Sequence, residues 1–559
     1  MRALLLVGLL TLLVASLRLP GTRSGLPQAS DPDKVFVTQA LRLEERANGR
    51  TERAVSELYP HLLGHLLEAW PGALAESAES AAPIEEHLEA ARRPYRTGRL
   101  LSGLLSLLVV PAAYLLARSR LGMGPSLLAA AFAGTSLLGV LLAHQARPHA
   151  ALCAFLAWTL VGAQRFAVRP SIGHAALLAL AFGLAVSTLH NGAAAGPAVA
   201  VACFFAWRES RRQAMVGLLL IAAGALTALL FAYPFIIDGG LWGGRSFEGK
   251  ALDGSGFLRS ARTLALFEPT LVVLSLFTLL PPRKGTARQK LGPCDWVLIA
   301  FAVPYVVAIG LYHSTWHRFS LPLVPLLSMT AAVGASKLAV LLGLRGGRAL
   351  VAGLALIVFP TVTAARYSWL WTLPQSTDQM AEWIEDNLDP TRNQIHVSFG
   401  VDLPLVQMRG CMAKTQRAWR SPWQQYQLQG NRVQNTATWR LWDGFVPIDE
   451  RADPANISSA EVLQGMSERR VTHALVLVPG KGSRLESDGT LAAVRELEGR
   501  LLVRFAPYES ASLSGTTGSG GADQLGFEPI SIALRAERLG PVLELYELPK
   551  GVWGRGGQR

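Results

Sequence analysis

A mainly α-helical, polytopic membrane protein carrying a small C-terminal α/β domain outside the bilayer is the fold class this sequence predicts, on three observations. Half of the 559 residues are apolar and only 17% are charged, with a mean hydropathy of +0.29, so much of the apolar surface must face lipid rather than water. About eleven apolar segments are long enough to cross a hydrocarbon core of about 30 Å when flanking Arg and Trp side chains reach to the interface. After Trp371 the long apolar runs stop and short alternating elements replace them.

The first segment, Ala3 to Leu17, lies between Arg2 and Arg18. It has the length of a signal-peptide core as well, but no small-x-small cleavage site precedes Leu17, so it is expected to be retained. The next five are expected at Leu100 to Ala117, Pro125 to Ala143, Ala150 to Ala163, Ala175 to Leu189 and Ala194 to Trp207. Ala214 to Ile237, Leu264 to Pro281, Trp296 to Tyr312, Phe319 to Leu342 and Ala349 to Trp369 complete the set. All are expected to run unbroken, and no internal repeat relates them.

Loop charge orients these spans, because Lys and Arg accumulate in short cytoplasmic loops. Alternate loops carry Arg118 and Arg120, Arg165 and Arg169, Arg208, Arg211 and Arg212, then Arg283, Lys284, Arg288 and Lys290, then Lys337, Arg345 and Arg348. The loops between them are poor in base. The N-terminus is therefore expected in the cytoplasm and the C-terminal domain outside it. The net charge of +13 is largely this topology signal, and no basic stripe is interleaved with aromatics as nucleic-acid binding requires.

The chain divides into four regions: residues 1–20 as the first transmembrane helix, 21–99 as the first extracytoplasmic loop, 100–371 as the membrane core, and 372–559 as the soluble α/β domain. A loop the length of 21–99 is usually functional. It holds an apolar stripe, Leu62, Leu63, Leu66, Leu67 and Trp70, at the spacing of an interfacial helix. In the tail, Ser376 to Gln379 and Ser458 to Glu461 read as capping boxes that open helices. Ile395 to Phe399, Ala474 to Val478, Leu501 to Phe505 and Val542 to Tyr546 read as strands. The aromatic cluster Trp419, Trp423, Tyr426, Trp439 and Trp442 reads first as domain core and second as a sugar-stacking face. The four cysteines are too scattered for a disulfide framework or a metal cluster.

Polar residues at the outer ends of the spans are the candidates for chemistry, because each is costly in lipid unless it lines a cavity or the interface. Asp31 and Asp33 follow the first span; His144, Arg147 and His149 separate the third and fourth; His190 follows the fifth. Glu268 stands near the start of the eighth, and His317 and Arg318 precede the tenth. A carboxylate pair facing cationic and imidazole groups suits transfer from a phosphate-linked donor, with a base for the acceptor and positive charge for the departing phosphate. The bland readings are solvated loop acids, arginines anchored in headgroups, hydrogen-bonded interfacial histidines and a helix-capping Glu268.

Pro32-Asp33, Leu58-Tyr59-Pro60, Ala146-Arg147-Pro148 and the run His317-Arg318-Phe319-Ser320-Leu321-Pro322-Leu323-Val324-Pro325 resemble the GT-C fold glycosyltransferases of the protein mannosyltransferase and aminoarabinose transferase type, over about residues 1 to 390. The resemblance implies a polyprenyl-phosphate sugar donor, an acceptor outside the cytoplasm, inversion at the sugar, and an acidic base in the first loop. By resemblance Asp33 takes the position of that base; Asp31 as a second carboxylate, and Arg147, Arg318, His317 and His190 as groups for the donor phosphate, are expected from their place at the outer span ends. Glu268 and Lys34 are further candidates. Lys34 stands where this family commonly has Glu, and a cation there depresses the neighbouring carboxyl pKa and weakens the base. Some members need a divalent ion and others do not; Asp31 and Asp33 offer two oxygen ligands, fewer than a full shell. Transporter or flippase activity and a non-catalytic scaffold of the same architecture are the alternatives.

Overall fold

The computed structural model describes residues 2–28, 34–49, 60–74, 78–79, 81–233, 252–280, 291–313, 315–398, 401–412, 421–428, 438–443, 458–478, 489–507 and 529–554. Trp242 and the Ser- and Gly-rich run Ser510 to Ala522 lie outside these residues. The chain forms two compact units.

The first unit comprises Met1–Pro20, Val35–Trp70 and Gly98–Ser368 and is helical. Its elements begin with α1 (Arg2–Arg18), α2 (Lys34–Ala47), α3 (Leu62–Glu68) and α4 (Ile84–Ser106), the last running on from the second unit. They continue with α5 (Val109–Arg118), α6 (Met123–Gly134), α7 (Leu137–Ala143), α8 (Pro148–Val168), α9 (Ile172–Thr188), α10 (Gly196–Glu209) and α11 (Arg211–Ala232). Helices Ser255–Phe267, Pro269–Leu276, Pro293–Leu311, Val324–Leu341 and Gly347–Leu370 complete it.

Among the described residues, six helices are long and apolar enough to cross a membrane, or eight if each of two bent pairs is one span. α9 is a shorter apolar helix, and α1 is another, with Leu4, Leu9 and Leu12 on its exposed side. The helix Gly347–Leu370 exposes Leu350, Val351, Leu354 and Val358, an outward apolar face that only lipid tolerates at this extent. The chain is a multi-pass membrane protein.

The expectation of unbroken spans is corrected at two places. The segment expected from Pro125 to Ala143 is α6 and α7, bent by 48°. There Ser136 leaves the helical conformation and accepts the Gly139 amide as a new N-cap, a bond that a Ser side chain offers in competition with the helix. The segment expected from Leu264 to Pro281 bends by 105° between Phe267 and Pro269. Pro269 disfavours helical backbone at the residue before it, and Glu268 accordingly sits at φ −128° and ψ 47°.

The leucine stripe of the first loop is α3, with Leu62, Leu63 and Leu67 buried in protein and Leu66 exposed. Most of the stripe is therefore core, not a face laid on lipid.

The second unit comprises Gly21–Lys34, Pro71–Thr97 and Trp369–Arg559. It holds a five-stranded mixed sheet of β1 (Gln394–Val397), β2 (Arg440–Asp443), β3 (His473–Val478), β4 (Arg500–Phe505) and β5 (Val542–Glu547) in the order β2-β1-β3-β5-β4. β1 pairs in parallel with β2 and β3, and β5 pairs antiparallel with β3 and β4. Four of the strands match the expected runs. β2, Arg-Leu-Trp-Asp, has no β-branched residue to mark it as a strand.

One face of the sheet packs Ile395, Val397, Leu475, Leu543 and Leu545 against Met380 and Ile384, which recur at helical spacing on Ser376–Asn387. That helix begins one residue earlier than expected. Its N-cap is Gln375, whose amide donates to Asp378 Oδ2 at 2.8 Å, and the Ser376 hydroxyl donates instead to Pro541 O at 2.6 Å. The Ser458 and Glu461 box forms as expected. Trp423 is fully buried, stacked on Tyr426 and packed against Ala91 and Val406, so this part of the aromatic cluster is core. His396 of β1 is also buried, and desolvation pushes its pKa down to about 3.

Candidate active site

Arg147 is the N-cap of α8, with Pro148 at the first helical position, where a residue without an amide hydrogen fits because that donor would be unpaired anyway. The Arg147 carbonyl accepts the Ser102 hydroxyl at 2.7 Å, which ties the turn between α7 and α8 to α4. Arg147 and His149 are both buried.

Arg318 lies in a 3-10 turn, His317–Leu323, with its guanidinium 5.1 Å from the Trp316 ring centre and 5.3 Å from that of Phe319. Cation–π contact of this kind fixes a planar guanidinium. The Phe319 ring stands 6.0 Å from the His149 ring, and the Phe319 carbonyl accepts the Tyr305 hydroxyl at 2.8 Å. Arg147 lies two residues before His149 in the chain, and Phe319, which carries the Arg318 guanidinium, stands against the His149 ring. Two arginines more than 170 residues apart in sequence are thus linked to one imidazole, Arg147 along the chain and Arg318 through Phe319.

The remaining candidates are more dispersed. The His317 Nδ1 pairs with the Thr263 hydroxyl at 2.9 Å, and its ring packs 5.4 Å from Phe267. His190 opens a separate 3-10 turn, its ring 5.3 Å from Tyr233. Lys34 is the first residue of α2. Asp31 and Asp33 lie outside the described residues.

Glu268 is buried at 3% exposure. Its Oε1 accepts the Ser136 hydroxyl at 2.6 Å and the Leu138 amide at 3.0 Å. It caps a helix, but the helix is α7, not the one it precedes.

Arg18 is the group that sequence reasoning used only as a topology flank. It is equally buried, and it donates from Nη1 to Ser106 O and from Nη2 to Ala133 O and Gly134 O, each at 3.0 Å. The signal that pointed to it was present: an Arg at the end of an apolar helix either snorkels or finds carbonyls. Arg18 also borders a small cavity shared with Gly139, Cys153 and Leu321. No group of three or more His, Cys, Asp or Glu that would hold a metal ion occurs among the described residues.

Residues 93–237 match the family model described as dolichyl-phosphate-mannose-protein mannosyltransferase. This segment contains Arg147, His149 and His190, and the resemblance to GT-C glycosyltransferases of that type is borne out over it. No curated protein matches the sequence.

Solved structures with a similar course include ArnT from Cupriavidus metallidurans bound to undecaprenyl phosphate, at TM-score 0.43 and 15% identity over 89% of this chain and 96% of that one. They include the Archaeoglobus fulgidus oligosaccharyltransferase tethered with an acceptor peptide, at TM-score 0.47 and 12% identity over 89% of this chain and 72% of that one. A third is the S. cerevisiae protein O-mannosyltransferase Pmt1-Pmt2 complex bound to the sugar donor, at TM-score 0.32 and 18% identity over 49% of this chain and 36% of that one.

Proposed function

We propose that this protein is a membrane glycosyltransferase that moves a hexose or pentose from a polyprenyl-phosphate donor to a protein, lipid or glycan acceptor outside the cytoplasm. Its N-terminus is cytoplasmic and its C-terminal domain extracytoplasmic. Asp33 is the general base, with Asp31 as the second carboxylate of the loop. The acceptor oxygen attacks the anomeric carbon and its proton passes to Asp33. The bond from that carbon to the donor phosphate oxygen breaks, the phosphate leaves with the bonding pair, and the sugar is inverted.

Arg147 and Arg318 hold the departing phosphate, because preorganised cations aimed at developing charge lower the barrier most. Their guanidinium forks suit phosphate oxygens better than a point charge does. The observation that carries this reading is the run of contacts from Arg318 through Phe319 to His149, two residues from Arg147, with Arg147 inside the segment that matches the mannosyltransferase model. His317 and His190 add polar contacts near the donor. Lys34 favours the charged form of its neighbour Asp33, which sets a base of low proton affinity.

The transporter reading gains one observation, since secondary transporters build their ion sites at broken helices and two bent pairs occur here. The break between α6 and α7, however, is occupied by this protein's own groups: Arg18 and Glu268 take the backbone positions an ion or substrate would need there. Purified protein incubated with radiolabelled polyprenyl-phosphate sugars separates the readings. Label appearing in a new glycosidic product supports the transferase. Vectorial movement of intact donor across a vesicle, without a new bond, contradicts it.

A further inference from the structure

The break between α6 and α7 leaves backbone groups on both sides without helical partners, and in an apolar surround each such group is costly. Its two ends are satisfied from opposite directions. On the C-terminal side of α6, Arg18 reaches from α1 and donates to Ala133 O and Gly134 O. On the N-terminal side of α7, Glu268 accepts the Leu138 amide while holding the Ser136 hydroxyl, and Ser136 in turn caps the Gly139 amide. A donor thus meets the carbonyl end and an acceptor meets the amide end, as the polarity of the two helix termini requires.

The sequence is cut to fit this arrangement. A Cβ on Gly134 would lie 2.5 Å from Val14 Cγ2, and one on Gly139 would lie 2.9 Å from Arg18 Nη2. Glycine at these positions lets α1 cross α6 and lets the guanidinium enter the break. Glu268 is available because Pro269 breaks its own helix at that residue. The second break therefore supplies the acceptor that the first one needs.

The break also governs the turn beyond α7. That helix is short, ending at Ala143, and His144 at its C-cap leads through Gln145 and Ala146 to Arg147 and His149. Any rotation of α7 about the break carries the turn with it.

We propose that Arg18 and Glu268 are positioning residues, a pair of caps on one helix break that orients the α7–α8 turn so that Arg147 faces the donor phosphate. The catalytic consequence rests on the glycosyltransferase reading; the structural role of the caps does not.

The test compares Glu268→Ala with Glu268→Gln in lipid nanodiscs, by amide hydrogen exchange over residues 137–145 and by KM and kcat for polyprenyl-phosphate sugar. Removing the acceptor should raise exchange at Leu138 and Gly139 and raise donor KM, each about tenfold, with kcat changed far less. Gln keeps the acceptor oxygen, so both values should return to within about threefold of wild type. Exchange in Glu268→Ala equal to wild type would overturn the proposal, as would a raised KM without raised exchange, or Gln failing as badly as Ala. A wild-type protein that transfers no sugar would sink the glycosyltransferase reading, while raised exchange in the Ala variant and its return with Gln would still support the caps.

Discussion

Ser136 donates its hydroxyl to Glu268 Oε1 at 2.6 Å, joining two helix breaks that lie 132 residues apart in sequence. The same oxygen of Ser136 accepts the Gly139 amide at 3.0 Å, so one side chain serves both as N-cap of α7 and as link to the second broken helix.

Ser136→Ala removes both bonds and leaves Glu268 with one partner fewer. The variant should lose about 1–2 kcal/mol of stability, read as a lower melting temperature in detergent, whereas Ser136→Thr keeps the hydroxyl and should melt close to wild type. An Ala variant that melts with wild type would mean that the Ser136 bonds contribute nothing.

Arg318→Lys keeps the charge and discards the planar fork that lies against Trp316 and Phe319. Donor KM should rise about tenfold while the protein remains folded. An unchanged KM would remove Arg318 from the phosphate site and leave it as a headgroup anchor. Arg147→Lys should behave alike, since both guanidinium groups are assigned to the same phosphate.

The C-terminal domain should be sensitive to acid. Burial pushes the His396 pKa down to about 3 from its ordinary value of 6.5. Between those values the unfolded chain binds a proton that the folded domain refuses, so stability is full above about pH 6.5 and falls as pH drops toward 3. His473, also buried, is shifted in the same direction by desolvation. The domain melting temperature should decline from pH 7 to pH 4, and His396→Gln should flatten that decline. A Gln variant with the wild-type slope would assign the sensitivity to other groups.

The helical membrane fold and most of the tail's strands were legible in the sequence, because apolar length and short β-branched runs report local environment directly. The burial of Arg147 was legible too, since a charged group at a span end is costly unless protein surrounds it. Pairing at a distance remained hidden. Glu268 reads as a cap for the helix it precedes, yet it caps α7, and nothing in the spacing of residues 136 and 268 announces that contact. Arg18 looked like a topology flank because interior carbonyls that accept an arginine have no sequence signature. The two breaks are hidden for a related reason: Ser136 and Pro269 are common inside apolar spans, and neither lowers hydropathy enough to divide one. Gln375 displaced Ser376 as an N-cap because the Ser376 hydroxyl goes to Pro541 O, a tertiary preference that local pattern does not carry.

The most direct measurement is sugar transfer from a radiolabelled polyprenyl-phosphate donor by Asp33→Asn beside wild type, with the melting temperature of both recorded. Asn preserves shape and removes the proton acceptor, so transfer should fall by a factor of about a hundred or more while the melting temperature is kept. Transfer by Asp33→Asn at the wild-type rate would contradict the assignment of Asp33 as the base.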